Sequence, residues 1–414
     1  MKKNRIAIIG AGVSGLSAAR MLRAKGYSPV IFEKQAGPGG LIRCSREEGN
    51  LFHHVGGIVF NTRIEKIRSW FFGFFDVNKE FILHHRNAQI YTQGKYIGYP
   101  IEDHLYQLPR NLCRKIGREL LFNIWSADHA TDFNGFLLHK FGRTLNEIYF
   151  RPYNDKVWNY DLGKIPLPWL EGKLPEPDFR EIFLNNLFRK AENKMVHSTF
   201  YYPREGGSSF LADRLAEGSE IIYNSDVDFM ERSGDQWKIN GELFDAVIYT
   251  GDVRQLKSSL KKISAEVAGC AERVGDLPSN GTSNVLCYTD ETALSWLYLP
   301  DQAYRCHRIV YTGNMSPSNN GRDRKTCLVE FSGKTDKETI DKQLKSLPGN
   351  LVPIAYNYEP SSYVIQLHDT RERIAALKKQ LEPLEFYLVG RFAEWEYYNM
   401  DRAMLSAMKI CDRF

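Results

Sequence analysis

The apolar positions of the first thirty-three residues change period twice. After Arg5 the run Ile6-Ala7-Ile8-Ile9 is unbroken, the pattern of a strand buried on both faces. Leu16, Ala18, Ala19 and Leu22 then recur at helical spacing, and Gly26 is a natural stop for that helix. Val30 to Phe32 is apolar again and ends at Glu33, which predicts a second strand.

Further along, Gln89 to Pro100 predicts a hairpin with Gly94-Lys95 at its turn. From Leu105 to about Arg151 the spacing is helical: Leu112, Ile116, Leu120 and Ile124 step by four, and Phe133, Phe136, Leu137 and Phe141 follow. Prolines from Pro166 to Pro177 predict a loop. Gly206-Gly207 forms a second glycine turn that opens into a helix at Phe210. Short strands are predicted from Glu220 to Tyr223, from Val227 to Met230 and from Trp237 to Asn240. Phe244 to Gly251 reads as a strand returning to the first sheet. Sheet pattern resumes between Asn284 and Glu330. A helix from Asp369 to Leu381, a buried strand from Phe386 to Arg391 and a helix from Met400 to Ile410 close the chain.

This alternation predicts an α/β chain with α+β elements: a Rossmann-like dinucleotide-binding domain, an inserted helical domain and a β-sheet substrate domain. The expected boundaries are 1–100 for the first part of the nucleotide domain and 101–199 for a helical insert acting as a substrate lid. Residues 200–255 return to the nucleotide domain, 256–370 form an antiparallel substrate sheet, and 371–414 supply the last strand and helix.

Composition narrows the class. The 414 residues are 43% hydrophobic and 25% charged, as in ordinary globular proteins, and long enough for two or three domains. A net charge of +5 is too mild to signal nucleic acid, and suits small anionic substrates. With 22 Tyr, 24 Phe and 7 Trp, the chain has material for aromatic-lined pockets. Its seven Cys are odd in number and lack metal-ligand spacing, so free thiols in a reducing, cytoplasmic setting are expected. The first strand begins almost at once, leaving no room for a signal peptide, and no apolar run reaches the roughly 18 residues of a membrane span.

The junction between the first strand and helix carries the candidate chemistry. Gly10, Gly12 and Gly15 form G-x-G-x-x-G: Gly10 for the sharp turn, Gly12 to admit a pyrophosphate, Gly15 for close helix packing. The helix N-terminus, with Ser14 in its first turn, offers free N–H groups to that anion. Glu33 lies 18 residues after Gly15, close to the spacing at which an acid accepts from a ribose hydroxyl, and Lys34 adjoins it. The acid favours FAD or NAD over NADP. Gly39 and Gly40 form a second glycine cluster, where an FAD-type protein folds over its cofactor, and Gly56-Gly57 precedes an apolar segment suited to passing a flat ring.

The C-terminal stretch GRFAEWEYYNMDRAM, Gly390 to Met404, resembles the UDP-galactopyranose mutase family, within the group that includes protoporphyrinogen oxidase and flavin amine oxidases. Further matches are Phe141 to Thr144 with Phe150 to Tyr153 and Trp158, then Tyr202-Pro203 with Gly206-Gly207, and Arg308-Ile309. The resemblance implies FAD held by Gly390, Arg391, Met400 and Asp401, with Arg391 on the pyrophosphate and Asp401 near the ribityl chain. It implies Trp158 and Tyr153 near the nucleotide, and Arg308, with Arg305 and Tyr363, on the diphosphate. Arg308 and Tyr363 would be the catalytic pair.

The chain also departs from that pattern. Where the mutases carry G-P-H-I-F-H-T it has Gly56-Gly57-Ile58-Val59-Phe60-Asn61-Thr62, and Ile165 to Phe179 contains no arginine to close over a sugar nucleotide. The implied activity is an FAD-dependent pyranose/furanose isomerisation of a nucleotide-activated sugar in cell-surface polysaccharide biosynthesis. Its partners would be the nucleotide sugar and NAD(P)H or another reductant, with oligomerisation left open. The alternatives are an FAD oxidoreductase of a small molecule and a non-catalytic flavin-binding homologue.

Overall fold

The computed structural model describes residues 5–123, 130–170, 179–189, 198–321 and 324–414. Its organising layer is a five-stranded sheet in the order Phe386–Leu388, Ala246–Tyr249, Arg5–Ile9, Ser28–Phe32, Glu220–Ile222. All four pairings are parallel. The apolar run Ile6 to Ile8 is fully buried at its centre because helices cover both faces of such a sheet. One of them is Val13–Ala24, which packs against the closing helix Met400–Cys411. Strands from residues 5, 246 and 386 thus lie side by side, and this layer is assembled from both ends of the chain.

A second, seven-stranded sheet runs Val352–Val364, Ser279–Thr289, Lys325–Ser332, Cys306–Val310, Trp296–Tyr298, Ala88–Thr92, Lys95–Gly98. The predicted hairpin is therefore part of this sheet, joined by a parallel pairing of Ala88–Thr92 with Trp296–Tyr298. Its turn is Gln93-Gly94, both at positive φ, rather than Gly94-Lys95. The long strand Val352–Val364 escapes the sequence pattern because Pro353 and Pro360 interrupt it. It is an edge strand, where proline is tolerated, and its register slips near both prolines.

The predicted strand from Val227 to Met230 is displaced: the strand is Met230–Ser233, which pairs with Gln236–Ile239. The residues ahead of it are mostly polar and lie outside the ladder. Helices Arg110–Asn123 and Phe133–Leu145 occupy the stretch expected as the helical insert, and Ile124, the last of the four-step apolar positions, lies outside the described residues. Asp132 caps the second by accepting from the Gly135 N–H, and Gly142 kinks it with φ of 76°. A π-turn, Asn146–Phe150, leads to the helix Arg151–Trp158. The proline-rich loop is described only up to residue 170, and 171–178 lie outside the described residues. No helix among the described residues is long and apolar enough to cross a membrane.

Lys156 fixes the position of the Arg151–Trp158 helix. Its ammonium is buried and donates to the carbonyls of Leu299, Asp301 and Cys306, tying the helix to the mouth of the seven-stranded sheet. Tyr153 and Trp158, on the same helix, are thereby held over the sheet.

Candidate functional site

The turn after the first strand gives each glycine a distinct job. Gly10 adopts φ of +102°, which L-side chains rarely reach. A Cβ on Gly15 would lie 2.0 Å from the Gly10 carbonyl oxygen, so helix and strand touch through backbone. Gly12 differs from both: a Cβ there would meet nothing within 4 Å. It is also the N-cap of the helix and supplies no side-chain cap. Open space thus lies in front of free helix N–H groups and a partial positive charge.

Neighbouring segments close around this space. The Gly39 N–H donates to the Ala11 carbonyl at 2.8 Å, and a Cβ on Gly40 would stand 3.3 Å from the Gly12 Cα. The buried Glu33 carboxylate accepts from the N–H groups of Ala11 (2.7 Å) and Gln35 (2.9 Å), which pins the glycine turn to the end of the second strand. Lys34 beside it is exposed. From the far end of the chain, Gly390 at φ of +91° passes so close that a Cβ would lie 2.1 Å from Ser14 Oγ. Its N–H donates to Glu394 Oε2 at 2.9 Å. Asp401, in the first turn of the closing helix, accepts from Thr62 Oγ1 at 2.8 Å. Met400, also in that turn, is half-buried against the core under the first helix.

Arg391 lies next to Gly390. One guanidinium nitrogen donates to the Ser362 carbonyl and another to the Tyr398 carbonyl, while the buried Nε has no partner among the described residues. The guanidinium sits 4.3 Å from the Tyr397 ring centroid. Tyr397 stacks on Tyr363 at 5.8 Å and an interplanar angle of 6°, and Trp158 meets both edge-on, at 5.7 and 6.0 Å. Beyond Tyr363, at 6.4 Å, stands the His307 ring, followed in the chain by Arg308. A continuous run of rings therefore links Arg391 to Arg308.

Arg308 Nε donates to Glu330 Oε1 at 2.9 Å. Its side chain is 26% exposed, and its outer nitrogens make no hydrogen bond among the described residues. Gly56 matters here, because a Cβ on it would sit 3.1 Å from Arg308 Nη2 and cover the fork. Gly57 is excluded from bearing a side chain by Val310, 2.3 Å from its Cβ position. Burial alone would push the Glu330 carboxyl up, but the Arg308 guanidinium beside it holds it down, at about 2. Burial pushes the phenols of Tyr363 and Tyr153 well up, so both stay protonated donors. Tyr153 adds a further aromatic wall, stacked on Tyr149 at 5.8 Å and edge-on to Tyr298 at 5.5 Å.

The structure thus brings Gly10, Gly12, Ser14, Gly15, Glu33, Gly39, Gly40 and Gly390 to one turn. It brings Tyr153, Trp158, Arg308, Tyr363 and Arg391 to one aromatic cluster, with Gly56 and Gly57 against Arg308. It does not bring Arg305 there. That residue is exposed before its strand begins, its backbone N–H donates to Gln343 Oε1, and its charge acts on Asp336. Glu330, His307 and Tyr397 went unnoticed in the sequence. The signal for Glu330 was present: a single acid inside the apolar strand Thr326 to Phe331 demands a buried cation.

The fold that carries these residues is shared with known proteins. Residues 8–72 match the model of an NAD(P)-binding Rossmann-like domain. Over 67 residues the chain is 51% identical to flavin-containing monooxygenase 5 of Cavia porcellus, covering 16% of this chain and 12% of that protein. It is 21% identical over 430 residues to a UDP-galactopyranose mutase of Mycoplasma genitalium, covering 98% of this chain and 93% of the relative. Among solved structures, that of a reduced UDP-galactopyranose mutase superposes with a TM-score of 0.89 at 20% identity, over 99% of this chain and 95% of the other. From first strand to closing helix, the chain is built on the fold of that mutase structure.

Proposed function

We propose that the chain is an FAD-dependent enzyme acting on a nucleotide-activated sugar, as a pyranose/furanose mutase. The observation that carries this reading is the ring run from Arg391 to Arg308. It joins a dinucleotide-ready turn to a partly exposed arginine whose outer nitrogens make no hydrogen bond among the described residues. The residues present fit FAD. Gly12 leaves room for a pyrophosphate at the helix N-terminus, the Glu33 carboxylate lies beside that turn at the end of the second strand, and the Arg391 Nε is buried without a partner among the described residues. Asp401 and Met400 would complete the hold.

When bound and reduced, the flavin supplies an electron-rich centre for bond exchange at a sugar carbon. This chain's own residues supply orientation and charge. Glu330 fixes Arg308 through Nε, leaving two N–H pairs in fork geometry for a diphosphate. The phenols of Tyr363 and Tyr153 donate to the same anion as it leaves and returns, where fixed donors need no reorganisation. Trp158, edge-on to Tyr363 and Tyr397, completes the aromatic wall behind these donors.

The test is a thermal-shift screen of the FAD-loaded, reduced protein against UDP-, dTDP-, GDP- and CDP-sugars. A ligand that binds only the folded state at 100 times its Kd adds about 2.7 kcal/mol of stability. One class is expected to raise Tm in the parent and much less in Arg308→Lys, which keeps the charge beside Glu330 but loses the fork. No shift with any of the four contradicts the reading.

A second reading, an FAD oxidoreductase of a small molecule, rests on the flavin-side segment. Ile58 packs into the core, and the Asn61 amide donates to the Thr199 carbonyl, so neither position offers a protonatable ring. Anaerobic bleaching of the flavin by a substrate, with peroxide formed on readmitting oxygen, would select it.

A further inference from the structure

His307 is wholly buried behind Arg308, and neither ring nitrogen makes a hydrogen bond among the described residues. A neutral imidazole has one N–H seeking an acceptor and one lone pair seeking a donor. Enclosed histidines normally spend both. Nε2 lies 3.4 Å from Glu330 Oε2, too oblique a contact to be a made hydrogen bond, although the two groups face each other. A strand irregularity between Cys306 and Arg308 lets these consecutive side chains, His307 and Arg308, converge on the same carboxylate.

The groups around this ring come from four elements. Glu330 faces it from Lys325–Ser332, Tyr363 from Val352–Val364 at 6.4 Å, and Tyr153 from Arg151–Trp158 at 6.3 Å. Lys156, on the helix of Tyr153, acts on it as a like charge, as does Arg308 beside it. Both tyrosines are neutral, and the Lys156 ammonium is spent on three carbonyls. With Arg308 and Lys156 positive and Glu330 negative, the cluster carries one net positive charge. The diphosphate diester of a nucleotide sugar brings two negative charges. One more proton closes the balance, and His307, with its nitrogen already opposite a carboxylate, is the group placed to take it.

We propose that His307 takes up a proton from solvent when an anionic substrate binds at Arg308, becoming an imidazolium paired with Glu330, so that substrate binding and protonation are coupled. The inference rests on the reading that the site receives a nucleotide sugar. Without substrate, burial pushes the imidazole down and keeps it neutral. With substrate, two negative charges act on it through a poorly screening interior and favour the charged form. A site that gains a proton on binding ligand binds more tightly as pH falls, by up to about tenfold per pH unit for one proton. The Glu330 carboxyl, held at about 2, cannot supply this dependence.

The experiment is calorimetric titration of oxidised, FAD-loaded protein with UDP-galactose at pH 6, 7 and 8, in buffers of different ionisation enthalpy. Each phosphorus of this probe carries one ester and one anhydride linkage, so it lacks the terminal phosphate ionisation near pH 6 of a monoester. The expected result is uptake of about half a proton averaged over this range, with about tenfold weaker binding at pH 8 than at pH 6. In His307→Asn the uptake disappears and affinity is flat with pH. His307→Gln serves if the first variant does not fold, and the buffer series on the parent needs no variant. Binding without proton uptake overturns the inference and leaves the nucleotide-sugar reading standing. Uptake that survives in the variants overturns it in favour of another group, with Lys156, pushed down by burial to about 8, the nearest. No binding at any pH is followed by the same titration with dTDP-, GDP- and CDP-sugars, and failure of all four overturns the nucleotide-sugar reading and this inference with it.

Discussion

Two alanine substitutions three residues apart should have opposite consequences, because Gly12 and Gly15 are glycine for different reasons. Gly12 has φ of −76° and ψ of 179°, an extended conformation open to alanine, and its Cβ would meet nothing within 4 Å. Gly12→Ala therefore leaves the apoprotein intact. The smaller entropy of its unfolded chain adds about 0.4–1 kcal/mol of stability. The new methyl group enters the space assigned to the pyrophosphate. Loss of two charge-assisted N–H bonds, at ~1.5 kcal/mol each, weakens FAD binding by about 3 kcal/mol, or roughly 150-fold.

Gly15→Ala behaves otherwise. Its Cβ would lie 2.0 Å from the Gly10 carbonyl oxygen and 3.2 Å from Ile8 Cγ2, and a backbone oxygen cannot step aside. Overpacking there costs about 3 kcal/mol and lowers the apoprotein Tm by several degrees. The assay is FAD titration of deflavinated protein by fluorescence quenching, beside calorimetric melting of each apoprotein. Near-parental FAD affinity in a well-folded Gly12→Ala would refute the assignment of that space to the cofactor. A Gly12→Ala apoprotein as unstable as Gly15→Ala would refute the geometric distinction itself.

Other expectations follow from the buried charges and thiols. Glu330→Gln removes the partner of a guanidinium that is 26% exposed, so the 3–5 kcal/mol typical of breaking a fully buried pair shrinks to about 2. The Glu330 carboxyl is lowered from 4.5 to about 2 in the fold, so its contribution is complete above pH ~4.5 and fades as pH falls toward 2. Denaturant melts across that window should show a shallower acid limb in the variant, and an unchanged limb would contradict the pairing. Cys44 is the thiol expected to alkylate first. Burial alone would raise it, but His53 Nδ1 at 3.4 Å and Ser208 Oγ at 3.3 Å bring it to about 7, whereas burial pushes Cys306, Cys327 and Cys411 up to about 12. Peptide mapping after brief iodoacetamide treatment at pH 7.5 should find Cys44 labelled ahead of those three. His53→Asn should slow that labelling about tenfold, and an equal rate would show that the imidazole does not activate the thiol.

The nucleotide turn was legible in the sequence because its determinants are local. Strand, glycine turn, helix and acid follow one another within thirty residues, and each has its own period or residue type. The last strand and helix could be joined to that turn through the resemblance carried by Gly390 to Met404. What stayed hidden depends on contacts between distant segments. Tyr363 belongs to an edge strand whose two prolines mask it, so a loose match was all that pointed to it. Arg305 and Arg308 look equivalent in sequence, yet one is exposed beside Gln343 while the other enters a buried ion pair. The convergence of His307 and Arg308 on Glu330 needs a strand irregularity, and a period-two reading has no means of placing one.

The central claim is that a dinucleotide-ready turn and a diphosphate-binding fork serve one reaction. Its most direct test is conversion of UDP-galactofuranose to UDP-galactopyranose by FAD-loaded protein, followed chromatographically with the flavin oxidised and again after dithionite reduction. The account predicts turnover only in the reduced state, abolished in Arg308→Lys. Equal turnover by oxidised and reduced protein, or none in either state with FAD fully bound, would contradict it.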